Sequence, residues 1–186
     1  MSNRIYNYSA FYVAEPFNES NLGAHATPDF VYYNMLRAWK GKESSFPFYD
    51  AHQTTYDVRD NSSWETLKER LHARLRNSKN IILFLSSNTK YSRALMEELD
   101  YGINELGLPV IVVYPDYNYN WQIADGNKPN NATAKLLWDK LPVFRDNHDK
   151  VPTAHVPMDK DYIQKALSDP DFTVQHKEYN YCWCYS

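Results

Sequence analysis

The sequence predicts an α/β fold in which helices cover both faces of a parallel sheet, a doubly wound arrangement. Two short apolar runs, Ile81 to Leu85 and Val110 to Val113, are β-prone and uninterrupted, as expected for strands buried on both faces. Between them, Lys90 to Leu106 carries apolar residues at helical spacing. A strand, a helix and a strand of these lengths form a crossover, which requires parallel strands.

Three elements are predicted upstream of this crossover. Ile5 to Tyr12 is expected to form a first strand, and Phe30 to Trp39 a first helix. Phe46 to Tyr49 follows as a short strand, which Pro47 directs to a sheet edge because proline has no amide hydrogen to donate. The alternation of strands and helices indicates the doubly wound sheet.

A second helix is predicted to begin at Trp64. Ser62 and Glu65 have the spacing of a capping box, and the apolar residues that follow recur at helical intervals. Asn77 and Ser78 are expected to close this helix.

The pattern weakens after Tyr114. The remaining predictions are a helix, a core strand, a final helix, and an added strand or hairpin arm, over Ala132 to Leu141, Thr153 to Val156, Asp161 to Leu167, and Phe172 to Tyr185. We therefore expect a domain over residues 1–160 and a C-terminal, aromatic-rich helix and strand extension over residues 161–186, packed on the same domain.

The C-terminal segment alternates two kinds of side chain. If it is a strand, its aromatic residues share one face, Tyr179, Tyr181, Trp183 and Tyr185. This row either packs on the domain's own sheet or helices, or contacts another copy of the protein. The cluster formed by Tyr114, Tyr117, Tyr119 and Trp121 leaves the same two interpretations open.

Composition excludes several classes of function. The 20 basic and 23 acidic residues give a net charge of −3 without a basic block, which argues against nucleic-acid binding. Cys182 and Cys184 form no disulfide framework and do not complete a zinc site, so we expect no bound metal. Neither a signal peptide nor a membrane span is recognisable, which predicts a cytoplasmic protein without membrane contact.

In open parallel sheets the ligand crevice lies beyond the carboxyl ends of the strands. The residues expected there are Ser9 to Tyr12, Asp50 to His52, and Ser86 to Asn88. None belongs to a Gly-x-Gly-x-x-Gly fingerprint or a Walker-type loop, and the chain has only five glycines. A classical dinucleotide-binding fold and a P-loop enzyme are therefore excluded.

Four segments carry a family pattern. They are Tyr8-Ser9-Ala10-Phe11, Phe48-Tyr49-Asp50-Ala51, Ile81-Ile82-Leu83-Phe84-Leu85-Ser86, and Tyr91-Ser92-Arg93-Ala94-Leu95-Met96-Glu97-Glu98-Leu99. This pattern resembles the TIR domain, which has a flavodoxin-like sheet, and most closely the TIR-like proteins of bacterial Thoeris anti-phage defence. The resemblance covers roughly Arg4 to Tyr114.

The resemblance implies an enzyme that cleaves the nicotinamide-ribose bond of NAD. The expected product is an ADP-ribose-derived signal, in cyclic form, which a separate antiviral effector protein reads. NAD is then the substrate, and no cofactor is needed. The family's catalytic glutamate corresponds to Glu98; four residues earlier many TIR enzymes carry tryptophan, where this sequence has Ala94.

Helix geometry distinguishes Glu98 from its neighbour. At about 100° per residue, with Leu99 at the centre of the buried stripe, Glu98 stands at the edge of the stripe. By the same geometry Glu97 points into solvent. We therefore expect Glu98 to reach the cleft and Glu97 to be a neutral position for substitution.

Six further residues are candidates for binding the substrate, Ser9, Phe11, Tyr12, Asp50, Ser87 and Tyr91. The first three could line the nucleotide site or simply pack after the first strand. Asp50 could bind a ribose hydroxyl or orient a turn. Ser87 and Tyr91 are expected at the first turn of the Glu98 helix, where free amides favour phosphate, although Ser87 could instead be its cap.

Two other classes of function stay open. One is a TIR-like interaction module without catalysis, which Ala94 favours. The other is a nucleoside 2-deoxyribosyltransferase-like enzyme, which has a related sheet and a catalytic glutamate but acts on free nucleosides. Because TIR enzymes commonly assemble to complete their sites, a homo-oligomer is also expected.

Overall fold

A computed structural model describes residues 8–12, 28–50, 63–126, 132–174 and 182–184 of the chain. Its strands and α-helices, in chain order, are β1 Tyr8–Tyr12, α1 Pro28–Lys42, α2 Trp64–Arg76, β2 Ser78–Phe84, α3 Arg93–Asp100, β3 Val110–Tyr114, α4 Ala132–Trp138, α5 Pro142–Asn147, β4 Thr153–Pro157, α6 Lys160–Ser168 and β5 Cys182–Cys184. A π-helical stretch, Tyr101–Glu105, continues α3, and short 3-10 turns occupy Asn120–Gln122, His148–Lys150 and Pro170–Phe172.

The five strands are parallel and lie in the order β1-β2-β3-β4-β5. On the outer side of β1, Asp50 forms an isolated parallel bridge with Ser9, and the Ser9 amide donates to the Tyr49 carbonyl at 2.8 Å. The chain therefore extends to one side of β1 first and to the other side from β2 onward, which confirms the doubly wound, flavodoxin-like topology. The predicted edge strand at residues 46–49 is reduced to this bridge, where Pro47 cannot support a ladder.

Both faces of the sheet are covered, so β2 and β3 send alternate side chains into two separate cores. One core lies under α2, α3, α4 and α5, and receives Ile81, Leu83, Val110 and Val112. The other lies under α1 and α6, and receives Ile82, Phe84, Ile111 and Val113. This is why both predicted apolar runs lack the alternation of a half-exposed strand.

Gly102 allows the π-helical stretch after α3 to lie close against β2. A Cβ atom at this position would stand 2.6 Å from Cδ1 of Ile81 and 3.6 Å from Cδ2 of Leu75. Both neighbours belong to the buried core. The glycine thus sets how closely α3 approaches both the sheet and α2.

One predicted helix start and one predicted cap differ in the structure, whereas α2 begins at Trp64 as expected. The Ser92 backbone is extended (φ −136°, ψ 145°), and its hydroxyl accepts a hydrogen bond from the Leu95 amide at 3.1 Å, so α3 begins at Arg93 and not at Lys90. Similarly, Ser63 caps α2 through the Thr66 amide. The predicted cap, Ser62, lies outside the described residues.

The elements after β3 are more numerous than predicted. The helix expected over residues 132–141 is α4, which ends at Trp138. A further helix that was not predicted, α5, starts at Pro142, whose fixed φ and missing amide suit a first helical turn. The strand predicted at residues 153–156 and the final helix are confirmed as β4 and α6. The predicted domain boundary after residue 160 stays a prediction.

The last strand is an added strand and not a hairpin arm. β5 runs parallel to β4, with Thr153 opposite Cys182 and His155 opposite Cys184, and α6 lies between the two strands in sequence. Cys184 is buried, whereas the side chain of Trp183 and all of Tyr179, Tyr181 and Tyr185 lie outside what the structure describes. Within the described ranges, no helix is long and apolar enough to cross a membrane.

Candidate functional site

The switch point of the sheet lies between β1 and β2. Before α2 the chain pairs with one edge of β1, through Asp50, and after α2 it pairs with the other edge, through β2. A ligand crevice is expected beyond the carboxyl ends of these two strands. Residues 13–27 and 51–62, including His52, lie outside the described residues. The described part of this region is the end of β1 and the loop from Leu85 to Ser92.

Ser9 and Asp50 are brought together, but not at the strand ends. Ser9 lies inside β1, opposite Asn80 of β2, and is fully buried. Asp50 beside it is also buried and accepts a hydrogen bond from the Tyr33 hydroxyl of α1. Since Asn80 precedes Ser86 by six residues, this pair lies about 20 Å along the strand from the loop after β2. The expectation that Ser9 follows its strand is wrong.

Phe11 and Tyr12 are closer to the expected crevice. They are the last two residues of β1, and Tyr12 lies opposite Leu83 near the carboxyl end of β2. The structure describes their backbone but not their side chains. Their contact with a nucleotide stays a prediction.

The loop after β2 is held by its neighbours. The buried Ser86 donates its amide to the Thr89 hydroxyl at 2.9 Å. The amide of the exposed Ser87 donates to Oδ2 of Asp116, in the segment after β3, at 2.6 Å, and its carbonyl accepts from Lys140 Nζ at 2.8 Å. In this structure the Ser87 amide, expected to face a phosphate, therefore binds a carboxylate.

Ser87 and Tyr91 were expected at the first turn of the Glu98 helix, and this expectation is wrong. They precede its cap, Ser92, because the chain first makes the turn closed by Thr89. The Tyr91 side chain is 68% exposed. It stands on the surface of the loop after β2.

Glu98 is the buried carboxylate of α3. The residue is 5% exposed, and its Oε1 accepts a hydrogen bond from Nη2 of Arg74, an ion pair between α3 and α2. Burial raises the pKa of Glu98 from 4.5 to about 7, and the charge of Arg74 and its hydrogen bond act in the opposite direction. Desolvation outweighs the counter-ion, so the carboxyl is poised to titrate near neutral pH.

Glu97 does not point freely into solvent, contrary to the expectation from the helical wheel: its side chain is only 22% exposed. Its Oε1 lies 2.7 Å from Lys68 Nζ and 2.9 Å from His72 Nε2, both on α2. The hydrogen bond from Lys68 is the main reason that the pKa of Glu97 lies below its ordinary value. The wheel describes one helix, and here a second helix packs along the flank that the wheel assigned to water.

Further contacts continue this pairing in both directions along the two helices. Arg93 stacks over the Trp64 ring at 3.9 Å, His72 stacks on Tyr101 with 3.5 Å between ring centroids, and Arg76 donates to the Tyr101 hydroxyl at 3.2 Å. Together with the Glu97 and Glu98 pairs we call these contacts the cross-helix ladder. Along the cross-helix ladder, the residue numbers rise in the same direction on both helices, from Trp64 with Arg93 to Arg76 with Tyr101. The two helices α2 and α3 therefore run parallel.

A buried polar network lies at the end of β3 and was not anticipated from the sequence. Trp138 Nε1 donates to the Tyr114 hydroxyl at 2.8 Å, and this hydroxyl lies 2.8 Å from His155 Nδ1. Indole can only donate, so the hydroxyl accepts from Trp138 and donates to an unprotonated Nδ1. Burial lowers the pKa of His155 from 6.5 to about 3, which keeps the imidazole neutral. The sequence left open whether Tyr114 packs within the domain or contacts another copy; its side chain is fully buried, and nothing in the sequence pointed to these two partners.

A cavity of about 480 Å³ opens beyond the carboxyl ends of β3 and β4. Its lining residues are Asn118, Tyr119, Asn120, Trp121, Ala124, Gly126, Asp159 and Tyr162. Tyr119 and Trp121 are exposed and stack on each other, with 6.2 Å between ring centroids. Of the predicted substrate-binding and catalytic residues whose side chains the structure describes, none lines this cavity.

The doubly wound sheet, with a buried glutamate on the helix that follows β2, is the arrangement that the sequence resemblance implied for a TIR-like domain. A family model described as the TIR-like domain of Thoeris protein ThsB matches residues 8–120. The match spans more than half of the chain and includes the whole of α2, β2, α3 and β3. The chain therefore belongs to this family of TIR-like domains of Thoeris protein ThsB.

Proposed function

We propose that this protein cleaves the nicotinamide-ribose bond of NAD and converts the ADP-ribose part into a cyclic signal nucleotide that activates a separate antiviral effector. Membership of the ThsB TIR-like family supports this proposal. The observation that carries it is Glu98, a carboxylate buried on the helix after β2, with a pKa raised to about 7 by burial. Ionisable groups with strongly shifted pKa values concentrate at functional sites.

The chemistry requires one anion. When the bond between ribose and nicotinamide breaks, its electron pair passes to the pyridinium nitrogen, and nicotinamide leaves as a neutral molecule without needing a general acid. Positive charge grows on the ribose, and a fixed carboxylate beside the sugar stabilises it. Water then gives ADP-ribose and a proton, whereas an adenine nitrogen in the same position closes a ring.

Glu98 supplies the anion in this proposal. Phe11, Tyr12, Ser87 and Tyr91, on the end of β1 and the loop after β2, contact the nucleotide. Ser9 and Asp50, which are buried deeper in the sheet, act on the substrate only indirectly, by fixing the strand that carries Phe11 and Tyr12. The protein acts in the cytoplasm without a cofactor or metal, and it assembles with copies of itself.

A non-catalytic interaction module is the second candidate, and two observations favour it. The Glu98 carboxylate is bound to Arg74 at the interface of α2 and α3, an arrangement that also suits a purely structural ion pair. Ala94, in place of the tryptophan of many TIR enzymes, points the same way.

The deciding experiment compares the wild-type protein with Glu98→Gln. Each is incubated with NAD or with deoxynucleosides, alone and with lysate of phage-infected cells, and the products are separated by chromatography. We expect nicotinamide release and an ADP-ribose derivative from wild type, and roughly 100-fold or greater loss in the variant. Turnover of deoxynucleosides alone identifies the deoxyribosyltransferase, and a wild type inert under every condition leaves the interaction module.

The matched control is Glu105→Gln. Glu105 is an exposed carboxylate on the π-helical continuation of α3, so its substitution removes the same charge from the same element without touching the cross-helix ladder. Glu97→Gln is unsuitable because it removes the acceptor of Lys68 and His72. Retained activity in Glu105→Gln excludes a general effect of charge on this helix.

A further inference from the structure

Arg74 is buried together with the carboxylate that it binds. Its side chain is 11% exposed and that of Glu98 is 6% exposed. At this depth water contributes little to solvating either charge, so each depends on the other. An isolated carboxylate in the same place would take up a proton and lose the charge that the proposed reaction uses.

The surrounding contacts hold the two helices in a fixed relation. The cross-helix ladder joins α2 to α3 above the Glu98 pair at Trp64 and Arg93, and below it at Arg76 and Tyr101. At Gly102, the Leu75 side chain of α2 lies close to the backbone of the π-helical stretch that continues α3. Arg74 is therefore anchored on a helix that has no room to slide past α3.

We propose that Arg74 is a positioning residue for the proposed NAD cleavage: it fixes the Glu98 carboxylate from α2 and maintains its negative charge where water is excluded. The inference rests on the proposed function. Arg74 touches neither the substrate nor the bond that breaks. It acts through Glu98, as a preorganised charge that needs no rearrangement during the reaction.

Among the described residues, Arg74 is the cation that acts on Glu98. On α2, Lys68 and His72 are engaged with Glu97. On α5, which also packs on α3, Arg145 pairs with Asp146 and Asp139 at the surface. Arg74 is accordingly the cation that opposes the effect of burial on the pKa of Glu98.

The test measures the ionisation of Glu98 directly. Proteins with ¹³C-labelled glutamate are titrated by NMR, and the resonance missing from Glu98→Gln assigns the Glu98 carboxyl. The compared proteins are wild type, Arg74→Met, Arg74→Lys, and Arg145→Met as a control that removes an arginine from a surface ion pair. NAD cleavage is followed for each over the same pH range.

In Arg74→Met we expect the Glu98 titration to move upward by at least one pH unit. The pH profile of kcat should move with it, so that at pH 7 the ionised fraction alone lowers kcat about fivefold while KM stays near the wild-type value. In Arg74→Lys the Glu98 titration should stay close to its wild-type position, because lysine supplies the positive charge, although without the planar fork of arginine. Arg145→Met should match wild type.

Two results would overturn the inference. An unshifted Glu98 titration in folded Arg74→Met shows that Arg74 does not maintain the charge. Faster NAD cleavage in Arg74→Met than in wild type shows that the pair restrains Glu98 instead of preparing it. A shifted titration in proteins that never cleave NAD refutes the enzymatic function and removes the catalytic role of Arg74 with it, which distinguishes the two failures.

Discussion

Replacing Glu98 by glutamine should change how the stability of the protein depends on pH. The carboxyl has a pKa of about 7 in the folded protein and 4.5 ordinarily. Between these values the folded protein binds one proton more than the unfolded chain, so stability falls as pH rises. The stabilisation from this site is complete below pH 4.5 and is lost as pH rises through 7.

The magnitude follows from the two pKa values of Glu98. Each pH unit between them is worth about 1.4 kcal/mol, so the free energy of unfolding of wild type relative to Glu98→Gln should fall by about 3 kcal/mol from pH 4.5 to pH 7. Groups that titrate equally in both proteins cancel in this difference.

His155 makes the effect visible without subtraction. Its pKa falls from 6.5 to about 3 on folding, so the stability it provides is present above pH 6.5 and is lost as pH falls. Between pH 4.5 and 6.5 the contributions of His155 and Glu98 have opposite signs and similar size. Wild type should show little slope from these two groups, whereas Glu98→Gln should gain about 3 kcal/mol across that window.

Urea unfolding monitored by fluorescence at half-unit pH steps provides the measurement, with unchanged m-values as the check that the same transition is compared. Glu105→Gln serves as the charge control. A difference between wild type and Glu98→Gln that stays within about 1 kcal/mol, or that grows with pH, would refute the reasoning. A flat difference would mean that attraction to Arg74 balances the cost of burying the carboxylate, and a difference that grows with pH would mean that it exceeds this cost.

Three more outcomes are expected from urea unfolding. Gly102→Ala should cost about 1–2 kcal/mol because its methyl group meets the core, whereas Gly41→Ala, with open space at the end of α1, should be neutral or stabilising by up to about 1 kcal/mol; equal effects would contradict the close approach. Ser92→Ala should lower the free energy of unfolding by about 1 kcal/mol because it removes the cap of α3, and Ser87→Ala should lower it by less than about 0.5 kcal/mol. The reverse order would show that the helix is capped at Ser87 and not at Ser92. Tyr114→Phe should cost about 1–3 kcal/mol because one buried hydroxyl serves both the indole and the imidazole; an unchanged midpoint would show that the network contributes nothing.

The buried strands and the core-facing helices were predictable because their residues show burial in the sequence itself, as a continuous apolar run for a strand covered on both faces and as helical spacing for a helix. The run from Ile81 to Leu85 and the helical spacing around Leu99 both report burial, and burial follows directly from the sequence. The boundaries of the helices were less predictable. Ser62 and Ser63 are equally good caps for α2 in the sequence, and nothing in the sequence selects Ser92 as the cap of α3. Only the path of the preceding chain decides between them.

The candidate site was predictable in part for a related reason. The position of Glu98 at the edge of a buried stripe is a property of one helix, and the burial of that carboxylate agrees with it. That Glu98 reaches a substrate cleft stays a prediction. That Arg74 faces it, and that Lys68 and His72 cover Glu97, depends on how two helices pack together. No spacing within either helix contains that information.

The parallel pairing of β5 with β4 makes the C-terminal segment a shield for the sheet. Every residue of β4 is buried, and α6 contributes Ile163, Ala166 and Leu167 to the core shared with α1. Removal of residues 161–186 would leave β4 as a bare, apolar edge with unpaired amides, a template for joining further chains. Such a truncated protein should therefore aggregate, as detected by light scattering, instead of remaining a smaller folded domain.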